Sequence, residues 1–310
     1  MSASDFRSFV SSSHAVMRAL RRCRAPAMIL LCVAGMLSAS GGCRSVYTAR
    51  SRQIPLPATL EDVRAPSNER DWIPEQAIMP TAEWNGSQVT VRNVRNFEFV
   101  TEHDFIPRYY DKTYQLDDLE SVDFIVAPFK DTPVLAHTMI SFGFGHGEFL
   151  VSSVEARLEK GESYSPLAGA WRQFEIMYVL ADERDVIQLR TEHRDTDVYV
   201  YRAQATREQV RALLLDVLNR VNKLAKEPEF YDTIYNNCTT NIAQHINDLK
   251  PGRIPYDYHV LLPGFSPKFA YDLGLLDKSV PFEELTRRAH INDLAHRYRT
   301  SADFSTKIRR

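Results

Sequence analysis

The sequence has little net charge, little cysteine, and no long hydrophobic run after its N-terminus. Its 38 lysines and arginines nearly balance 40 aspartates and glutamates, so the formal net charge is −2. A chain without a basic excess gives no electrostatic case for binding nucleic acid. We find no internal repeat, and residues 44–310 contain no apolar run of transmembrane length. The remaining composition, 44% hydrophobic and 25% charged, is that of an ordinary globular protein.

The first 43 residues have the pattern of an export signal. Residues 25–39 form an apolar run of signal-peptide length, and Ser40-Gly41-Gly42 leads from it to Cys43. A positive segment precedes this run and contains Arg18, Arg21, Arg22 and Arg24. The end of the segment resembles a bacterial lipobox, although Ser40 stands where leucine is usual. We therefore predict a lipoprotein-type signal peptide over residues 1–43, with lipid attached to Cys43.

This prediction places the protein in the bacterial cell envelope. A lipid anchor at Cys43 would hold a soluble, periplasm-facing domain on a membrane surface. Ordinary secretory cleavage and an uncleaved anchor are the alternatives.

Cysteine usage then isolates a single thiol. Of four cysteines, Cys23 and Cys32 lie in the signal region and Cys43 at its end, which leaves Cys238 alone in the exported part. An odd cysteine in a compartment that permits disulfides is a candidate reactive thiol. An ordinary buried cysteine is the alternative.

The exported part is expected to consist of an extended segment followed by an α+β domain. Residues 44–84 contain five prolines and little periodicity, so they predict a linker or a segment that wraps the domain. The folded domain is placed at residues 85–280, and residues 281–310 are assigned to a C-terminal tail. From residue 256 onward the chain is expected to be irregular.

Strands are predicted in the first part of the domain and helices later. Two apolar runs, 135–144 and 148–156, flank Gly145-His146-Gly147 and indicate a β-hairpin. The other predicted strands are 88–100, 121–129, 174–180, 186–190 and 198–201. Thr206 and Gln209 have capping-box spacing before an amphipathic helix, and a second helix is predicted from Cys238 or Thr239 to Leu249. The sum is an antiparallel sheet packed against helices.

A cysteine at the start of a helix has a favourable but insufficient environment for reaction. The helix dipole and the unpaired amide groups there favour the thiolate. A free thiol with a pKa of about 8.5 is only about 3% ionised at pH 7, and the dipole lowers that pKa by at most about 1.5 units. Cys238 would therefore need an imidazole to take its proton.

The histidines do not by themselves identify that partner. His245 is seven residues along the same helix, roughly 10 Å away, which is too far for proton transfer. His146 lies at the predicted hairpin tip. His137 lies inside a predicted strand, where hydrogen bonding within the core is an equally good explanation.

Several separated motifs resemble the periplasmic domain of bacterial Lnb-type proteins. They are Val89-Thr-Val-Arg-Asn-Val-Arg-Asn96, His137-Thr-Met-Ile-Ser-Phe-Gly-Phe, Ser153-Val-Glu-Ala-Arg157, Gly161-Glu-x-Tyr-Ser-Pro166 and Asn237-Cys-Thr-Thr-Asn241. The resemblance covers residues 85–280 and implies a circularly permuted papain-like cysteine fold. In that fold a strand histidine precedes an Asn-Cys pair at a helix start.

The resemblance also implies roles for individual residues. Cys238 would be the nucleophile, His137 the base, and Glu155 a polar residue that orients the imidazole. Ser153 is a further candidate for the orienting role, and a plain salt bridge between Glu155 and Arg157 is the alternative.

The resemblance implies an acyltransferase-like activity that passes through a thioester and uses lipid or lipoprotein acyl groups. The expected partners are a membrane surface and such a substrate, with no metal, no cofactor and no nucleic acid. Lnb-type proteins carry transmembrane helices after this domain, whereas this sequence has none, so the anchor at Cys43 would hold the domain at the bilayer. The alternatives are a cysteine peptidase or amidase that acts on cell-wall peptides, and a non-catalytic lipid-anchored binding protein.

The lipoprotein prediction can be checked directly on protein recovered from a bacterial membrane. We expect mass spectrometry of the mature N-terminus to find Cys43 as the first residue, carrying acyl chains. A first residue other than Cys43, or an unmodified Cys43, would contradict the prediction.

Overall fold

A computed structural model describes residues 65–309 of the chain. The predicted signal peptide and Cys43 lie outside these residues. The described strands are β1 (Thr81–Asn85), β2 (Gln88–Arg95), β3 (Glu98–Phe99), β4 (Phe105–Ile106), β5 (Tyr109–Gln115), β6 (Leu119–Phe129), β7 (Thr132–Phe144), β8 (Glu148–Arg157), β9 (Glu175–Asp182) and β10 (Tyr199–Arg202).

The described helices occur mainly after the strands. They are α1 (Pro166–Ala170), α2 (Glu183–Gln188), α3 (Arg207–Lys226), α4 (Cys238–Leu249), α5 (Tyr258–Leu261), α6 (Ser266–Asp272), α7 (Phe282–Ala289), α8 (Asn292–Tyr298) and α9 (Phe304–Lys307). None of the helices within residues 65–309 combines the length and hydropathy of a membrane span.

An eight-stranded sheet forms the centre of the described domain. Its strand order is β1-β2-β9-β8-β7-β6-β10, and β5 pairs with β2 beside this path. The pairs are antiparallel except for one parallel contact, Arg95 with Ala181, between β2 and β9. The predicted hairpin is confirmed as β7 and β8, joined by a turn at residues 145–147 in which His146 has a positive φ of 67°.

Helices cover both faces of the sheet. On one face, α3 and α4 bury their apolar stripes against alternate strand residues, including Ile140, Phe142, Val154 and Tyr178. Their contributions include Leu214, Val217, Leu218, Val221 and Ile242. The α+β class with a large sheet packed against helices is therefore confirmed.

The other face carries a second core. Strand residues such as Met139, Val151 and Val179 pack there against α2, α8 and α9. The helix residues in this core are Val186, Ile187, Leu294, Ala295 and Phe304, joined by Ile291 and Ile308 at helix boundaries. His137, Met139 and Ser141 alternate onto this face of β7, as the sequence pattern predicts.

The long helices begin where their capping residues predict. The Thr206 hydroxyl accepts from the Gln209 N–H, and the Gln209 side chain accepts from the Thr206 N–H. This reciprocal pair confirms the predicted capping box at the start of α3. The helix predicted from Cys238 or Thr239 to Leu249 is confirmed as α4.

Two secondary-structure predictions are wrong. Residues 186–190 were expected to form a strand but belong to α2 and a π-helical turn after it, because Asp182 caps the helix by accepting from the Arg184 N–H. Residues from 256 onward were expected to be irregular but form short helices. Pro263 and Pro267 stand at helix starts, where a missing N–H costs nothing.

A buried ion pair connects α2 to the end of β2. The Asp185 carboxylate receives the Arg95 guanidinium at 2.6 Å and the Phe97 N–H at 2.7 Å. The Asp185 side chain is fully buried and that of Arg95 is 8% exposed. A carboxylate with these partners is satisfied, whereas an arginine left alone there would be a buried unpaired charge.

We therefore expect Asp185→Ala to lower the free energy of unfolding by about 3–5 kcal/mol. Urea unfolding followed by circular dichroism would measure it. Glu83→Ala is the matched control, because it removes the exposed pair between Glu83 and Arg92, and we expect almost no change in its urea midpoint. Equal midpoint shifts for the two variants would contradict the assignment.

Candidate active site

The β7–β8 ladder separates at one end, and the candidate site lies at this separation. The last pair joins Met139 to Ser153. Beyond it, His137 on β7 pairs with Ala127 of β6, while Glu155 on β8 pairs with Met177 of β9. Because the two strands follow different neighbours, an opening forms between them, and α4 packs against both strands.

Cys238 is the first residue of α4 and is 7% exposed. The Asn237 side chain caps the helix by accepting from the N–H groups of Thr239 and Thr240, both at 2.9 Å. The Thr240 hydroxyl accepts in return from the Asn237 N–H at 2.7 Å. Within residues 65–309 this capping box leaves the N–H of Cys238 as the helix amide open to a ligand.

His137, Ser153 and Glu155 form a hydrogen-bonded chain. The His137 Nε2 lies 2.7 Å from the Ser153 hydroxyl, and that hydroxyl donates to the Glu155 carboxylate at 2.5 Å. The same carboxylate oxygen lies 3.3 Å from the His137 Nε2. Both residues considered from the sequence for orienting the imidazole therefore contact Nε2.

The thiol and the imidazole shift each other's pKa values in opposite directions. Burial of Cys238 opposes ionisation, but hydrogen bonding to His137 and the charge of its imidazolium outweigh it and lower the pKa of the thiol to about 7. Burial opposes protonation of His137, but the Glu155 charge and the hydrogen bonds to Cys238 and Glu155 raise its pKa to about 9. At neutral pH these values favour a thiolate–imidazolium pair.

Arg190 also contacts the Glu155 carboxylate and offsets its negative charge. Its guanidinium lies 3.8 Å from the Glu155 carboxylate and its side chain is 5% exposed. Burial raises the pKa of Glu155, but His137 and Arg190 outweigh this and hold the pKa well below its usual range. Sequence reasoning missed Arg190, because it placed this residue in a strand. The proposed pair between Glu155 and Arg157 is replaced by these contacts, and the Arg157 guanidinium instead donates to the carbonyls of Gln76 and Ala77.

Two threonines complete the surroundings of the sulfur. Thr138 supplies hydrogen bonds from its hydroxyl and its backbone N–H that help lower the pKa of Cys238. The Thr138 hydroxyl lies 3.0 Å from the Thr239 hydroxyl, which lies 3.8 Å from the Cys238 Sγ. Sequence reasoning missed Thr138, although its place next to His137 puts it on the opposite face of β7 toward α4.

Two tyrosines lie close enough to Cys238 for the charge of its sulfur to raise their pKa values. The hydroxyls of Tyr164 and Tyr231 are 3.3 Å apart. Burial raises the pKa values of both, and the negative charge of Cys238 raises them further. Tyr231 is buried, while Tyr164 is 39% exposed and so borders the site from the solvent side.

An apolar cavity of about 260 Å³ lies along α4. Thr239, the residue after Cys238, lines it, and α4 follows the cavity from there for about 15 Å to Leu249. The helix side chains that line it are Ile242, Ala243, Ile246 and Leu249, while β6 and β7 contribute Val122, Phe124 and Ile140 and α6 contributes Phe269 and Ala270. Lys250 and Arg253 lie among the lining residues beyond the C-terminal end of the helix.

A comparison with known families identifies the family of the chain. The family model of the Lnb N-terminal periplasmic domain matches residues 106–264, more than half of the 310 residues. The chain belongs to this family. The matched range contains His137, Ser153, Glu155 and Cys238, and membership indicates a protein of the periplasm or cell envelope. No curated protein and no solved structure gives a significant match to the chain.

The pKa values predict how Cys238 reacts with a neutral alkylating reagent. We expect the rate of alkylation by iodoacetamide to rise with pH through a midpoint near 7 and to be lost as pH falls below it, because only the thiolate reacts. In His137→Ala the midpoint moves upward, since burial then opposes ionisation without the imidazolium. The rate at pH 7 should fall at least about tenfold.

His103→Ala is the matched control, because His103 is exposed and lies outside the site. Its profile should equal that of the unchanged protein. A midpoint unaffected by His137→Ala would contradict the pairing of His137 with Cys238.

Proposed function

We propose that this family member is a thiol-dependent acyltransferase of the cell envelope. Cys238 is the nucleophile, His137 moves the proton, and Glu155 with Ser153 orients the imidazole. One observation carries the proposal: a thiol paired with an imidazole begins a helix whose next residue, Thr239, lines an apolar cavity long enough for an acyl chain. Thiol chemistry follows from the pair, and the acyl substrate class follows from the cavity.

The reaction divides into two acyl transfers. The Cys238 thiolate attacks the carbonyl carbon of an acyl ester, and the oxyanion that forms accepts from the Cys238 N–H. The C–O bond to the alcohol then breaks, the His137 imidazolium gives its proton to the departing oxygen, and a thioester remains on Cys238. An acceptor amine attacks this thioester, gives its proton to His137 and releases the thiolate.

The cavity lining supports an acyl group over a peptide. The chain of a fatty acyl group carries no hydrogen-bonding atoms, so an apolar wall stabilises it by burial alone, at about 25 cal/mol per Å². A peptide would leave its amide groups unpaired along such a wall, at about 1–3 kcal/mol for each group.

The position of the site in the chain and the predicted anchor agree with this proposal. A strand histidine that precedes a helix-start cysteine has the order of a circularly permuted papain-like domain. Cys43 as a lipid anchor would keep the domain near its substrate, since residues 44–64 span at most roughly 70 Å when extended.

The thioester intermediate gives a direct test. When the purified full chain is mixed with a phospholipid of defined acyl chains, we expect intact mass spectrometry to find one acyl group on Cys238 that neutral hydroxylamine removes. Cys238→Ala should carry none. Addition of a peptide with an N-terminal amine should clear the adduct and acylate the peptide.

The other functions predict other products. Release of fatty acid without peptide acylation would indicate a hydrolase, and cleavage of a cell-wall peptide would indicate a peptidase or amidase. Absence of any product or adduct would leave a binding protein.

The cavity has a separate test of its own. Ile246 is half-buried and lines the cavity, whereas Gln244 is exposed on the same helix. We expect Ile246→Trp to reduce the rate of adduct formation from 16-carbon donors more than from 6-carbon donors, because the indole fills the far end of the cavity. Gln244→Trp should affect neither donor. Equal loss for both chain lengths in Ile246→Trp would contradict the cavity as the acyl site.

A further inference from the structure

A second group of buried polar side chains lies behind the nucleophile. The His245 Nδ1 lies 2.6 Å from the Asp216 carboxylate of α3, and its Nε2 lies 2.7 Å from the Tyr178 hydroxyl of β9. The Tyr178 hydroxyl also donates to the Asn241 side-chain oxygen at 2.9 Å. His245 is 4% exposed, so the group is closed to solvent except at Asp216, whose side chain is 33% exposed.

The group ends at the two residues before Cys238. The Asn241 side-chain nitrogen donates to the Asn237 backbone carbonyl and to the Asn236 side-chain oxygen, both at 2.9 Å. Asn236 is fixed in turn, because its own side-chain nitrogen donates to the Phe230 carbonyl at 2.8 Å. Asn237 is the cap of α4. The group therefore connects a carboxylate on α3 to the cap that positions the thiol.

Backbone carbonyls determine the orientation of every member. A carbonyl only accepts, so the Asn241 nitrogen must face Asn237 and its oxygen must face Tyr178. The Tyr178 hydroxyl has one hydrogen and must donate it to that oxygen. It can then only accept from the His245 Nε2, which must carry a hydrogen.

The same count at the other ring nitrogen requires a second hydrogen. A neutral imidazole with a hydrogen on Nε2 presents a lone pair at Nδ1, and at 2.6 Å this lone pair would face a carboxylate that also only accepts. The pair of Asp216 and His245 therefore holds one proton more than a carboxylate and a neutral imidazole.

We propose that Asp216, His245, Tyr178 and Asn241 form a positioning network that holds the cap of α4 in the reactive geometry and loosens when the Asp216 carboxylate is lost. This inference rests on the proposed role of Cys238 as the nucleophile. Without that carboxylate, His245 can accept at Nε2, and Tyr178 then has one hydrogen for two acceptors. If it turns to His245, the Asn241 oxygen is left unpaired and the clamp on Asn236 and Asn237 weakens.

Charged groups on neighbouring elements surround the network. Arg220 on α3 also interacts with Tyr178 and pairs with Glu229 at 2.6 Å in the segment after the helix. At the N-terminal end of α4 the strands β7 and β8 contribute His137 and Glu155. On α5, the Nδ1 of His259 bonds to Asp257 at 2.9 Å.

The hydrogen on the His245 Nε2 is measurable by itself. In the purified full chain with ¹⁵N-labelled histidine, we expect the Nε2 of His245 to have the chemical shift of a nitrogen that carries a hydrogen. Asp216→Asn should weaken that signature. An Nε2 without a hydrogen in the unchanged protein would overturn the inference.

The coupling to the thiol needs a second measurement. We expect Asp216→Asn to lower the iodoacetamide rate of Cys238 about tenfold at pH 7, and Asp216→Glu to restore most of it. Tyr178→Phe should lower the rate as well, because the Asn241 oxygen then loses its donor. An unaltered rate and profile in Asp216→Asn would equally overturn the inference.

Asn222→Ala controls for a purely structural effect. Asn222 lies on the same helix as Asp216 and bonds to the backbone of Ala82 at both the N–H and the carbonyl. Its loss should lower stability without changing the pH profile of Cys238. If acyl transfer survives Cys238→Ala, the proposed function fails while the state of His245 still stands, so the two failures are distinguishable.

Discussion

The separation of β7 from β8 is the constraint on which the site depends. Two strands that pair along their whole length would present His137 and Glu155 to the face opposite α4, out of reach of its first residue. Because each strand continues with a different neighbour beyond Met139 and Ser153, the sheet opens between them. The N-terminus of α4 packs at that opening, and the thiol meets an imidazole from the other face.

The electrostatics of the site follow from this burial. Four ionisable groups, Cys238, His137, Glu155 and Arg190, lie within a short chain of contacts. Two are acidic and two are basic, so the fully charged state is neutral as a whole. Each ion pair offsets the cost of removing its members from solvent. A low pKa for the thiol is the chemical result of that balance.

Local patterns predicted much of the fold. The hairpin of β7 and β8, the amphipathic α3 and the start of α4 each follow from a few neighbouring residues, and each is confirmed in the structure. Residues 186–190 were assigned to a strand, but a short apolar run is equally consistent with a buried helix. The helix cap at Asp182 is the feature that distinguishes the two. The chain from residue 256 was expected to be irregular, although Pro263 and Pro267 stand at helix starts.

The sequence by itself determined which residue is the candidate nucleophile: Cys238 is the one cysteine after the predicted signal region, it lies at a helix start, and its thiol needs a partner. These are properties of spacing and of individual side chains. The family motifs added His137 and Glu155 as expectations. Only the tertiary structure decided that Ser153 and Glu155 both contact the imidazole, that Arg190 and Thr138 belong to the site, and that an apolar cavity begins at Thr239. Those contacts join residues from about 16 to more than 100 positions apart, and strand pairing and helix packing, rather than local preference, bring them together.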